Sequence, residues 1–231
     1  MRYMCATSRR LEGAVRTIIL SACAVLAVQA GLHAQEVSVG VRLSTLGFGA
    51  EAGVKVLDRA GVRVGLNALS LSVNAEEEGN DYEFDIGLWT QSLLADFYFS
   101  RIGFRATAGV FANGNEVDMT AESQNGFELG GNVYPPDQVG TVSGGMDFND
   151  INPYVGLGLD TSFGRDRGLG FVAELGALFQ GSPRLTLSAD GPIAADPDFQ
   201  AELESERESI EDDMSAYSVY PVVVLGVSYR F

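Results

Sequence analysis

The side chains with the widest chemical repertoire crowd into one end of this sequence. Both cysteines, Cys5 and Cys23, and the single histidine, His33, lie within residues 1–34. The same stretch carries Arg2, Arg9, Arg10 and Arg16 and an apolar run from Thr17 to Val28, and it ends on Leu32-His33-Ala34 ahead of Gln35. A basic start, a short apolar run and a small residue at the end form the pattern of a secretory signal peptide, with cleavage after Ala34. The run is too short for a bilayer-spanning helix, which takes about 20 residues. Leu20-Ser21-Ala22-Cys23 matches a lipoprotein lipobox by letter, but Ala24 to Val28 stay apolar where a lipid-anchored cysteine would open a polar tether. The expected organisation is therefore a signal peptide over 1–34 and one domain over 35–231. That domain has no thiol and no imidazole. It cannot build a disulfide, a zinc thiolate or a thiol nucleophile, nor a Ser-His-Asp triad or a histidine-held haem. No enzyme activity and no cofactor are expected of it.

What remains for chemistry is charge. The sequence has 31 acidic and 15 basic residues, a net charge of −16. Removing residues 1–34 takes away four arginines and one glutamate and leaves −19. Such a balance excludes a basic face for nucleic acid. Three groups stand out. Glu83 and Asp85 form the acid pair a carboxylate-based hydrolase would need. Residues 196–214 hold nine acids against Arg207; Glu204, Glu208, Glu211 and Asp212 there are a weak candidate cluster for a hard divalent cation, which could bridge to lipopolysaccharide. The third group is dispersed: Glu51, Lys55, Arg63, Asp96, Arg105, Asp160, Glu174 and Arg230 each interrupt an apolar stretch.

The elements that must position those charges alternate with period two. Val223, Leu225, Val227, Tyr229 and Phe231 occupy every second position of the last segment. The same design predicts eight strands at about 36–44, 47–57, 61–74, 81–99, 103–117, 152–163, 169–187 and 219–231. Breaks of phase near Ala68-Leu69 and Leu88-Trp89 suggest bulges. Connections at 58–60, 100–103 and 164–168 are tight, whereas 118–151 and 188–218 are long and polar. Short turns at one end and long loops at the other fit a transmembrane barrel. A soluble sandwich alternates too, but 81–99 and 169–187 exceed the ~5–6 residues usual for globular strands. Phe97, Phe99, Phe104, Phe163, Phe171, Tyr229 and Phe231 also gather beside the tight turns as an interfacial girdle would.

With the apolar set facing lipid, the eight dispersed charges face the lumen, four acids with four bases. A barrel of eight strands has room for little but side chains. The expectation is a salt-bridged plug in the half nearest the tight turns, with Arg105 beside Asp160 and Arg230 beside Glu174; a wet lumen that merely solvates them is the alternative. In the last long loop, Asp196-Pro197 starts a helix. Its stripe of Phe199, Leu203, Ile210 and Met214 should rest on the barrel rim.

The end of the chain, Tyr220 to Phe231, resembles the β-signal of Gram-negative outer-membrane barrels, in which a terminal Phe behind alternating apolar residues is read by the barrel-assembly machinery. The stretches 104–109, 152–158 and 179–183 resemble small outer-membrane proteins of unassigned function, related in architecture to the OmpA transmembrane domain and to OmpW. The resemblance implies an all-β, eight-stranded antiparallel up-and-down barrel with a short acidic helix in its last outer loop. It implies an outer-membrane location and lipid, lipopolysaccharide, assembly machinery and periplasmic chaperones as partners. A monomer is favoured. No peptidoglycan-binding domain is expected after the β-signal, so peptidoglycan tethering is not implied. The expected role is non-enzymatic, structural or surface-interacting; the OmpW likeness implies instead a narrow channel for small or apolar solutes.

Overall fold

Side chains that alternate along a strand put one set on each face of a sheet, and in this protein the sheet closes on itself. The computed structural model describes residues 36–77, 80–123, 125–129, 131–165 and 167–231; the expected signal peptide lies outside them. Strands β1 (Val37–Ser44), β2 (Gly47–Leu57), β3 (Ala60–Glu77), β4 (Asn80–Tyr98) and β5 (Phe104–Asn113) follow in order. β6 (Glu116–Ser123), β7 (Phe127–Leu129), β8 (Asn132–Tyr134), the one-turn helix α1 (Pro136–Val139) and β9 (Val142–Asp147) come next. Then come β10 (Ile151–Asp160), β11 (Gly168–Phe179), β12 (Arg184–Ala189), helix α2 (Pro197–Met214) and β13 (Val219–Arg230).

Eight of these strands form the barrel. Antiparallel pairing runs from β1 through β2, β3, β4, β5, β10, β11 and β13, and β13 returns to β1 through Val227↔Val41. The outward set is apolar and exposed: Val39, Val41 and Leu43 on β1, Val155 and Leu157 on β10, Phe171 and Leu175 on β11, Val223, Leu225 and Val227 on β13.

Two expected long strands are each divided. β5 stops at Asn113, where the Gly114 N–H donates to the Trp89 carbonyl at 2.9 Å and the Trp89 N–H donates to Asn115 Oδ1 at 2.9 Å. These contacts hold the turn against β4 while β6 leaves β5's course. The stretch expected over 169–187 parts at Gly181, whose φ of 75° suits only glycine, and at Pro183, which has no N–H for a ladder.

The bulges expected near Ala68 and Leu88 are absent. β3 and β4 pair without interruption from Ala60↔Phe97 to Glu77↔Asn80; the register shift falls instead on β2, between Lys55 and Leu57. What changes at Ala68 and Trp89 is the environment. Below them the outward positions are apolar (Val62, Val64, Leu66, Leu93, Ala95, Phe97). Above them the outward positions turn polar (Ser70, Ser72, Asn74, Glu83, Asp85), and the inward ones turn apolar (Leu69, Leu71, Val73, Phe84, Ile86).

This upper hairpin is the base of a second body. β6, β9 and β12 add to β4 in that order and make a five-stranded sheet beyond the barrel. The long polar loops expected over 118–151 and 188–218 are thus mostly ordered strand and helix. One face of this cap sheet carries the row Val73, Phe84, Met119, Gly144 and Leu187; the other carries Asn74, Glu83, Thr120, Ser143 and Ser188. Helix α2 covers the apolar face rather than the barrel rim expected for it. Asp196 caps it, its Oδ1 accepting from the Asp198 and Phe199 N–H groups at 2.9 and 3.2 Å. Phe199 and Leu203 are buried with Ala121, Val142, Val139 and Leu129 in a core separate from that of the barrel. Ile210 and Met214, the rest of the expected stripe, are only half-buried.

Candidate functional site

The barrel interior is filled in two layers. The layer nearer the tight turns is built from charges delivered by all eight barrel strands. Arg63 on β3 makes a two-pronged contact with Asp96 on β4, Nε to Oδ2 at 2.6 Å and Nη2 to Oδ1 at 3.0 Å. Its Nη1 donates to Glu51 Oε2 at 2.6 Å, and its Nη2 reaches Glu174 Oε2 at 2.9 Å. β3 and β11 stand four strands apart in a ring of eight, so the Arg63–Glu174 contact spans the lumen. Arg105 on β5 donates to the same Glu174 oxygen at 2.6 Å and lies 3.6 Å from Asp160 and 3.7 Å from Asp96. Asp160 Oδ1 also accepts from the Ser162 N–H, Ser162 Oγ and Ser228 Oγ. Arg105 has no exposed surface, and Asp96, Asp160 and Glu174 keep 4% or less.

Every sequence-predicted lumen residue points inward, but the pairing differs from expectation. Arg230 does not meet Glu174. It pairs with Glu36, which Lys55 also reaches at 2.8 Å, near the tight-turn end. Phe163, expected in the exterior girdle, turns into the lumen there. It stacks on Tyr98 with ring centroids 3.5 Å apart and receives Lys55 and Arg230 over its face at 5.6 and 5.3 Å. Phe97, Phe99, Phe104, Phe171 and Phe231 do face out.

Two charged members escaped the sequence reading. Arg42 donates to Glu51 Oε1 at 2.6 Å and to the Val227 carbonyl at 2.9 Å. It falls between Val41 and Leu43 at the same parity as the others, which is the signal that would have found it. Glu36 opens the first expected strand at that same parity, one residue before β1 begins at Val37. With them the lumen holds five bases and five acids among the described residues.

The second layer is apolar and was missed entirely. Leu46, Leu94, Phe111, Tyr154, Leu178 and Val222 pack together across the cap end of the barrel, with Tyr220 and Val224 beside them. The signal was apolar residues at lumen parity, as at Val222 and Val224. Tyr154 joins the layers. Its ring crosses Gly156 and Gly176, where a Cβ at Gly176 would come within 2.2 Å of its hydroxyl. That hydroxyl donates to Glu174 Oε1 at 2.8 Å. Two small cavities lie within the barrel, one of about 30 Å³ beside Arg42, Ser92 and Glu174 and one of about 10 Å³ beside Lys55 and Phe163.

The remaining candidates lie on the cap. Glu83 and Asp85 sit on the open polar face of the cap sheet, above the barrel and not in it, and Asp85 accepts from Ser72 Oγ. In the acidic helix, Arg207 occupies the middle of the expected cation cluster. It binds Glu204 and Glu211 at 2.7 Å each and lies 3.9 Å from Glu208. Glu211 Oε1 also accepts the Leu185 N–H at 2.7 Å; that bond, with Arg207, holds its carboxyl below the usual carboxylate range. Asp212 is exposed and outside this set. Among the described residues no group of three or more His, Cys, Asp or Glu is arranged to hold a metal ion.

No protein-family model matches the sequence, and no curated protein matches it. Solved structures do. CarO2 of Acinetobacter baumannii overlays with a TM-score of 0.57 at 22% identity, covering 85% of this chain and 98% of that one. CarO of the same organism overlays at 0.55 and 23% identity, covering 84% and 97%. At that identity the likeness concerns the closed barrel fold.

Proposed function

We propose that this protein is an integral outer-membrane barrel with a closed lumen, non-catalytic, that works through the body it holds outside the membrane. The observation that carries the reading is the filled interior. Its charges are paired across the lumen, an apolar layer lies above them, and the two cavities beside the charges have room for one or two waters. The membrane placement is supported by the exterior: an apolar belt on a closed sheet, with every ladder bond made inside the protein, is what a hydrocarbon surround requires. The reversal of sidedness at Ala68 and Trp89 then marks where β3 and β4 pass from lipid to water. In this reading β13, with Val223, Leu225, Val227, Tyr229 and Phe231 on its lipid side, is the segment offered to the assembly machinery. Lipid and lipopolysaccharide surround the belt and its outer rim.

Reconstitution into planar bilayers tests the closed lumen. The expected result is no steady current. Sustained ohmic conductance of general-porin size from the unaltered protein would overturn it, and small steady single-channel currents would overturn it in favour of the narrow-channel role.

A further inference from the structure

The cap sheet ends in two edges that the chain treats differently. At β12 the edge is closed: α2 packs along it, and Glu211 takes up the Leu185 N–H. At β3 it is open. β2 last pairs with β3 at Phe48↔Ala68, so from Leu69 to Glu77 β3 has a strand on its β4 side alone. The direction of the spare groups follows from the ladder. Trp89 points its N–H at Asn115 Oδ1 and its carbonyl at the Gly114 N–H, both away from β3. In an antiparallel pair, directly opposed residues either both bond each other or both face away, and the two kinds alternate. Ala68, opposite Trp89, therefore faces away from β4, and so do Ser70, Ser72, Asn74 and Glu76. Their N–H and C=O groups form a row that no backbone partner in the described residues takes up.

Natural edges are usually blunted by lysine, proline or a bulge. Residues 69–76 have none of these. Beside the edge, on the apolar face, Leu71 and Val73 are 48% and 47% exposed. On the polar face lies a groove of about 520 Å³ whose charged lining is Glu76, Asp81, Glu83 and Glu122, with no base among the described residues that form it.

We propose that this edge takes up an extended polypeptide as a sixth strand of the cap sheet. Its apolar residues would lie against Leu71 and Val73 and its alternate lysines or arginines over the acidic groove. A second copy of the chain fits less well, because it would bring one acidic face against another. The proposal depends on the closed-barrel reading only for setting the edge outside the membrane.

The test uses the full protein in detergent micelles and three synthetic peptides. One alternates Lys with Val or Ile over ten residues, one has the same composition in blocks, and one is the alternating peptide N-methylated at every second residue. The alternating peptide should bind and slow amide exchange within residues 69–76. N-methylation of the peptide, or Ser72→Pro in the protein, should each weaken it about tenfold or more, the worth of roughly one or two strand hydrogen bonds. Ser72→Pro removes an edge N–H and leaves the β3–β4 ladder intact; if it misfolds, the N-methylated peptide on unaltered protein decides. Glu76→Gln with Glu83→Gln should flatten the salt dependence. Equal binding of all three peptides, or protection elsewhere than β3, would overturn the proposal. So would a protein dimer that Ser72→Pro dissolves, since the occupant would then be a second copy. A conducting lumen would show in bilayers without peptide and leave this result untouched.

Discussion

Arg105 is the residue on which the interior turns. It is wholly buried among Glu174, Asp160 and Asp96, and a buried charge is tolerable only with such partners. Arg105→Met keeps the volume and strands the carboxylates. It should cost about 3–5 kcal/mol in urea unfolding from micelles; a loss under about 1 kcal/mol would mean that water solvates these groups. Glu211 makes the opposite kind of contact, at the surface of the cap. The Leu185 N–H and Arg207 lower its pKa. What it contributes is therefore fully present above the unfolded carboxylate value and lost as pH falls through the lower folded one. The exchange protection of the Leu185 amide should decline as pH drops from about 5 to 3, and Glu211→Gln should abolish that pH dependence.

The β3–β4 hairpin shows what alternation can and cannot say. The period of two fixes which residues share a face. It does not say which face meets lipid, lumen, water or core, and on the proposed placement the same hairpin meets all four. Read as one environment, the reversal at Ala68-Leu69 and Leu88-Trp89 looks like a backbone defect; the unbroken register shows it to be a boundary. Residues 35–231 contain no cysteine, which makes the boundary simple to map. In proteoliposomes, Ser70→Cys and Ser72→Cys should react with a water-soluble maleimide, whereas Leu66→Cys, outward on the same strand, should not. Labelling of Leu66→Cys as fast as Ser72→Cys would remove the lipid belt from that height.

The whole molecule is two bodies on one set of strands, each with its own core. The barrel core holds Leu46, Leu94, Phe111, Tyr154, Leu178 and Val222, whereas the cap core holds Phe199, Leu203, Val142 and Val139. Phe199→Ala should remove about 3–5 kcal/mol from the cap. Hydrogen exchange should then rise in α2 and β7–β8 while exchange in β1, β10, β11 and β13 stays as before. A uniform rise through the barrel strands would mean that the two cores fold as one unit.

The sequence by itself determined the number of barrel strands, the parity of the lumen charges and the start of α2 at Asp196-Pro197. These rest on local rules: side-chain period along a strand, and the unsatisfied N–H groups at a helix start. Only the tertiary structure decided that Arg230 meets Glu36 instead of Glu174, that Phe163 folds inward, that an apolar layer packs across the cap end of the barrel, and that the long connections build a second sheet. Each depends on which strands stand opposite or beside one another once the sheet has closed, and strand period carries no information about neighbours across a ring.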